Sequence, residues 1–175
     1  GYGKIFVDTD TRLKYLDSSG NLAVQTGVID ANVTAVGNVG GGEDDLMTHN
    51  IDVTNHMGVN GDSLTIYASG KDNASMSSTI KAKLGTTTIF TSQEVMMAEW
   101  FCTIRICRIG QSDQVAFWTF QDTGGNISTT NGVTALAENL SSDKVFKFTG
   151  TGGDGMMNDE VTQEYMQITH NASTL

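Results

Sequence analysis

Apolar and polar residues alternate along much of this chain, which is the period-2 pattern of half-buried strands. Leu64-Thr65-Ile66-Tyr67-Ala68 is the cleanest case, with Leu64, Ile66 and Ala68 on one side and the turn pair Asn60-Gly61 ahead of them. Thr79-Ile80-Lys81-Ala82-Lys83-Leu84 repeats the scheme with lysine on the wet side. Gly85-Thr86 then returns the chain into Thr87-Thr88-Ile89-Phe90, which predicts a hairpin. Trp100 to Ile109 is apolar on both sides, as a central strand is, and Gly110 to Asp113 reverses it into Gln114 to Phe120. This pair is expected to be the heart of the core. Lys144 to Phe148 and Val161 to Thr169 supply the last two strands. From Leu46 onward the pattern predicts about eight strands between Gly- and Asn-rich turns, the signature of a sandwich or jelly roll. Val133 to Leu140, apolar at 133, 136, 137 and 140, predicts one short helix.

The first 42 residues differ in character. Lys4-Ile5-Phe6-Val7 reads as a short strand, and Arg12-Leu13-Lys14-Tyr15-Leu16 as another. Asp17-Ser18-Ser19-Gly20-Asn21 supplies a turn into Leu22-Ala23-Val24-Gln25, so Arg12 to Val24 is a predicted hairpin. Val28 to Val39 is thinly apolar, and Gly40-Gly41-Gly42-Glu43-Asp44-Asp45 reads as a linker. Such a segment has too few large residues for a core of its own. The expected division is an N-terminal attachment arm over 1–42 and a β-sandwich over 43–175, with Ile5, Phe6, Val7, Leu13, Tyr15 and Leu16 as the partner-docking residues of the arm.

Composition agrees with the strands. Charged residues are 17% of the 175, the polar remainder is mostly Thr, Ser, Asn and Gly, and with no proline the turns must rely on Gly, Asn and Asp. Average usage would place about nine prolines in this length. A net charge of −10 repels phosphate backbones and anionic lipid heads, which argues against nucleic acid and membrane surfaces as partners. Cys102 and Cys107 lie five residues apart on one predicted strand, roughly 16 Å apart and on opposite faces, so they are expected to be free thiols. Free thiols fit assembly in a reducing cytoplasm.

Candidate chemistry is sparse. Gly150-Thr151-Gly152-Gly153-Asp154-Gly155 matches the dinucleotide pattern G-x-G-x-x-G, but strand-like sequence follows it where that fold needs a helix and a parallel strand. Acidic clusters at Asp8-Asp10, Glu43-Asp45 and Asp154-Glu160 could brace a loop with Ca²⁺, although none has EF-hand spacing. His49, His56 and His170 are too scattered to define a zinc site. Glu94 and Glu99 could supply the two carboxylates of a glycosidase, but a residue before a strand and a charged strand start explain them more simply. Trp100, Phe101, Phe117, Trp118, Phe120, Phe146, Phe148 and Tyr165 are expected in the core, with a subunit interface or a sugar-stacking platform as alternatives. The expectation is a protein with no catalytic residue and no cofactor.

Laid out as strands, Gly61 to Gly70, Ile80 to Ile89, and Trp100 to Gly110 with Gln114 to Trp118 resemble a family of tailed-bacteriophage virion-surface proteins. In that family a GD-x-L-x-I-x-A-x-G strand, a K-L-G-x-T-x-I hairpin and a W-x-hydrophobic…R-x-G strand follow in this order. The resemblance covers roughly Leu46 to Thr169, and the hairpin Arg12 to Val24 is similar to short attachment arms of such proteins. It implies an all-β, jelly-roll-like domain on the outside of a particle, as in capsid decoration (cement) proteins, head fibres and tail-fibre tips, often as homotrimers. The implied partners are the major capsid protein or other virion subunits, with assembly in the host cytoplasm. The alternative is a tail-fibre or spike domain that binds host surface glycan. No catalytic residue comes with the family.

Overall fold

The computed structural model describes residues 4–7, 13–16, 22–24, 27–92, 95, 97–124, 128–153 and 158–173, with side chains from 27 onward except at 128. The strands are β1 (Lys4–Val7), β2 (Leu13–Leu16), β3 (Leu22–Val24), β4 (Gly27–Asn32), β5 (Val36–Gly37), β6 (Glu43–Ile51), β7 (Ser63–Asp72), β8 (Thr79–Leu84), β9 (Thr87–Thr91), β10 (Glu99–Gly110), β11 (Asp113–Asp122), β12 (Ser128–Leu136), β13 (Lys144–Thr151) and β14 (Val161–Asn171). One helical turn, α1 (Val53–His56), is capped by the Asp52 carboxylate, which accepts from the Asn55 amide.

The strands form a jelly-roll-like antiparallel β-sandwich with a separate three-stranded N-terminal sheet. The larger layer runs β12-β11-β10-β7-β14-β4, with β5 also beside β14, and the smaller runs β6-β13-β8-β9. The N-terminal sheet runs β1-β2-β3 and contains the hairpin expected there, in the register Lys14↔Val24 and Leu16↔Leu22. Its docking candidates fall on β1 and β2, where Ile5 faces Tyr15 and Val7 faces Leu13 across the ladder. The surroundings of those six side chains lie outside the described residues.

Between the two layers sits one core, built from the inward half of each alternating strand. Trp100, Ile104 and Ile106 of β10, Leu64 and Ile66 of β7, Ile168 of β14, and Phe146 and Phe148 of β13 are fully buried. Aromatic rings span the gap. Trp100 lies 5.8 Å from Phe148 and 6.2 Å from Phe120, and Phe90 stacks on Trp118 at 5.2 Å. Each such pair contributes about 0.5–1.5 kcal/mol beyond the area it buries. Room for the indole comes from Gly70, directly opposite Trp100 in the ladder: a Cβ there would stand 2.6 Å from the ring and 2.0 Å from the Thr162 carbonyl oxygen.

Buried polar groups tie the edges of the layers. Gln163 Oε1 accepts from the Met47 amide at 3.0 Å, and Asn38 Oδ1 accepts from the Val161 amide at 2.8 Å. Gln114 donates to the Glu138 carbonyl at 2.9 Å and accepts from its amide at 3.2 Å. The Glu138 carboxylate in turn accepts from the amides and hydroxyls of Thr86 and Thr87 at 2.7–3.2 Å. Burial alone would raise its pKa, but these bonds outweigh that and hold it below the usual range. Gly85 makes the approach feasible, with φ of +56° and a position where a Cβ would stand 2.6 Å from the carboxylate.

Three expectations change. Residues 27–37 belong to the larger sheet, since β4 and β5 pair with β14 and Ile29 and Val36 pack on the core. Gly40 to Gly42 is therefore the turn between β5 and β6 and not a linker to a domain starting at 43. The stretch from Val133 is strand through Leu136, in register with β11, because β-branched residues beside a free sheet edge favour the ladder over a turn of helix. The outer side of β10 is exposed, so only one of its two apolar sides is core.

The outer face of the smaller sheet is neutralised by ion pairs. Glu43 receives Lys81 and Lys83, and Lys147 meets Asp45 at 2.7 Å. Hydrogen bonds from Lys81 first and Lys83 next, with Thr149 adding, hold the Glu43 carboxyl at about 2 against its ordinary 4.5.

Three outcomes are expected from this architecture. Gly70→Ala lowers the melting temperature by roughly 6–12 °C in calorimetry, because overpacking against a backbone oxygen costs about 3 kcal/mol. Deleting 1–26 leaves the melting temperature of the sandwich nearly unchanged, whereas deleting 1–42 lowers it sharply by stripping β4 and β5 from β14. Glu43→Gln lowers stability at pH 7 by about 1 kcal/mol after solvent screening. Because the folded carboxyl titrates below the unfolded one, that difference is fully present above about pH 5 and closes as the pH falls toward about 2 in parallel melts of the two proteins.

Candidate functional site

The outer face of the larger sheet is built differently from that of the smaller one. Ladder register places its side chains in rows across the strands. One row reads Val133, Phe117, Arg105, Thr65, Thr169, and the next Asn131, Thr119, Thr103, Tyr67, Gln167. A third reads Thr129, Gln121, Phe101, Ser69, Tyr165. Neighbours directly opposite stand about 5 Å apart and diagonal neighbours about 7–8 Å, so each aromatic ring on this face is bordered by hydroxyl, amide or guanidinium groups.

Three aromatic rings here stay half in water: Tyr67 is 46% exposed, Phe101 48% and Phe117 47%, and Val133 beside Phe117 is 64% exposed. Aromatic surface left in water contributes nothing to folding, so these side chains need another explanation than the core. Between β10, β11 and β12 the face dips into a shallow depression of about 380 Å³, lined by Thr103, Arg105, Phe117, Thr119, Asn131 and Val133. Its floor is thin at Gly132, where a Cβ would stand 2.5 Å from the Trp118 ring on the core side.

Among the described residues, Arg105 has no carboxylate within ion-pair reach, and its bond to the Ser63 hydroxyl is long at 3.4 Å. Lys71, Lys81, Lys83, Lys144 and Lys147 each have a carboxylate partner. Arg108, the other arginine of the sandwich, donates to the Met57 carbonyl.

The structure distributes the sequence candidates as follows. Of the eight aromatics, Trp100, Phe120, Phe146 and Phe148 are core and Trp118 is half-buried against it, while Phe101 and Phe117 face outward and Tyr165 is half-buried in the row of Phe101. The core expectation fails for Phe101 and Phe117 because each sits one residue away from an inward partner, Trp100 or Trp118, and the pleat sends it to the opposite face. Cys102 is buried, where desolvation pushes its thiol pKa up, and Cys107 is half-buried on the opposite face, with both thiols free. Glu99 is exposed at the start of β10, and Glu94 lies outside the described residues.

Of the loop candidates, β13 ends at Thr151 inside the G-x-G-x-x-G match, residues 154–157 lie outside the described residues, and the strand that follows, β14, belongs to the other layer. Asp8 and Asp10 also lie outside the described residues. The Glu43 and Asp45 carboxylates are taken by lysines, and no group of three or more His, Cys, Asp or Glu among the described residues is arranged to hold a metal.

Two features had no local signal. His56 and His170, 114 positions apart in sequence, meet with ring centroids 5.5 Å apart, and His49 pairs with Asp30 at 2.9 Å. The second is the depression itself. Its lining comes from three strands, and only the pairing register brings these residues together; the one trace in the sequence is the aromatic and polar alternation on Phe101-Thr103-Arg105 and Phe117-Thr119.

No family model matches the chain, and no curated protein matches it. Several solved structures are similar to it in fold. A peanut lectin structure with a nine-residue peptide is 12% identical with a TM-score of 0.45, over 99% of this chain and 91% of that one. A seed lectin of Lotus tetragonolobus is 8% identical with a TM-score of 0.46, over 99% and 93%. The CBM2 module of the evolved Dit protein of Lactobacillus casei BL23 phage J-1 is 11% identical with a TM-score of 0.37, over 90% and 86%. At 8–12% identity these likenesses assign the chain to no family.

Proposed function

We propose that the chain is a non-catalytic structural module of a virion, a capsid decoration (cement) protein that docks on the outer surface of a phage head. Its N-terminal strands contact the major capsid protein or another virion subunit, and the sandwich stands at the particle surface, as a homo-oligomer and specifically a trimer. The observation that carries this reading is the division between the N-terminal sheet and the sandwich. Among the described residues, the sheet β1-β2-β3 pairs with no sandwich strand, and the described core of the sandwich is built from residues 27 onward. Ile5, Phe6, Val7, Leu13, Tyr15 and Leu16 then have apolar surface to bury against a neighbour, at about 25 cal/mol per Å² before ordering costs.

A second reading, a tail-fibre or spike domain that binds host surface glycan, is favoured by the aromatic rings interleaved with hydroxyl and amide groups over the depression on the larger sheet. The two readings use different parts of the molecule. An N-terminal attachment leaves the sheet face open.

Co-sedimentation separates them. The full chain is expected to pellet with particles that lack it, and the chain without residues 1–26, although folded, is expected to stay in the supernatant. Equal pelleting of the two proteins overturns the assignment of the N-terminal strands as the docking element.

A further inference from the structure

We infer that the depression between β10, β11 and β12 takes a sugar residue bearing a carboxylate, as in an acidic surface polysaccharide; this rests on the glycan-binding reading of the sheet face. The chain has 20 acidic and 10 basic residues, so a cation within the sandwich has an excess of carboxylates to meet. Every described lysine of the sandwich has met one. Arg105 stands instead on a face of hydroxyls, amides and aromatic rings, beside Phe117 and Thr65 in its row, without a carboxylate among the described residues. A guanidinium presents a planar fork of donors that matches a carboxylate in a bidentate pair, and the ligand supplies the carboxylate that the protein does not.

The rest of the depression fits the rest of a pyranose. Sugar rings have an apolar C–H face and a rim of hydroxyls. Phe117, half in water, offers a flat apolar surface for the first. Thr103, Thr119 and Asn131 offer donors and acceptors for the second without a charge that would favour one hydroxyl pattern outright. The volume of about 380 Å³ lies at the small end of ligand sites, about 300–1,000 Å³, which suits one or two sugar units and not a long chain. Val133 walls the outer strand and takes no polar part.

The net charge of −10 opposes an anionic ligand at long range, and the balance is decided by distance. Charges more than about 8 Å away are screened at physiological salt, and the outer face of the smaller sheet lies beyond the roughly 10 Å spacing between the layers. Arg105, in contact with the ligand, therefore sets the local preference.

Calorimetric titration of the full chain tests this with three short probes: an oligogalacturonate, an oligomannuronate and N-acetylneuraminyl-lactose. Each is paired with its carboxyl-reduced neutral form. The expected result is that at least one acidic probe binds about tenfold or more tightly than its reduced partner, with the gap narrowing in 0.5 M NaCl. Arg105→Gln is expected to erase that gap and leave binding of the neutral form unchanged, and Phe117→Ala to weaken both forms. Both positions are on the surface, so an unchanged melting temperature certifies the folded variants.

Equal affinity for acidic and neutral forms, or a gap that survives Arg105→Gln, overturns the carboxylate assignment while leaving glycan binding in place. Absence of binding to every probe and to a panel of neutral glycans overturns both, as does loss of self-association in Phe117→Ala without any glycan affinity, which would make the face a contact between copies of this chain.

Discussion

Trp100 seated against Gly70 is the constraint on which the sandwich depends. An indole needs more space than two pleated layers offer where every inward residue has a side chain, and Gly70 supplies that space from the adjacent strand. Around it, Phe120 from its own layer and Phe148 from the other close the gap, and Phe90 extends the contact to Trp118 at the edge. These rings fill the roughly 10 Å between layers with few atoms of backbone committed. Once Trp100 points inward, the pleat sends Phe101 outward. The exposed aromatic of the candidate face is a direct consequence of the buried one.

With apolar burial confined to the inner faces, the two outer faces were free to diverge. The smaller sheet carries Glu43, Lys81, Lys83, Lys147 and Asp45 in mutual pairs, each contributing about 0–1 kcal/mol and together leaving a hydrated surface with little to offer a ligand. Around the depression the larger sheet keeps hydroxyls, amides, half-exposed rings and Arg105, while the Lys71–Glu164 pair and Glu99 stand at the other end of the face. That composition is the one expected of a recognition surface, where aromatic anchors and neutral hydrogen-bonding groups work together and dense charge is costly to desolvate.

The edges of the sandwich rely on buried amides and one carboxylate. Gln163, Gln114, Asn38 and Glu138 each bind backbone groups of a distant segment, and leaving any of these partners unmatched would cost about 1–3 kcal/mol. Apolar packing is nondirectional, so these hydrogen bonds contribute the choice of which edges meet: β6 with β14, and the β8–β9 hairpin with the segment after β12.

Alternation by itself determined most of the strands, the hairpins around Gly85 and Gly110, the pairing of β10 with β11 and the antiparallel sandwich, because side-chain period is a local property of the pleat. It also determined that Cys102 and Cys107 face apart. Tertiary structure alone decided the fate of residues 27–37, whose thin apolar content is too weak to predict a strand until β14 offers them an edge. It also decided that Phe101 and Phe117 belong to water, since a strand with apolar residues on both sides does not say which side meets a second layer. The depression was the least legible feature of all. Its lining comes from three strands, and residues as far apart as Thr103 and Val133 come to one depression only through a ladder register that the burial of Trp100 and its companions sets.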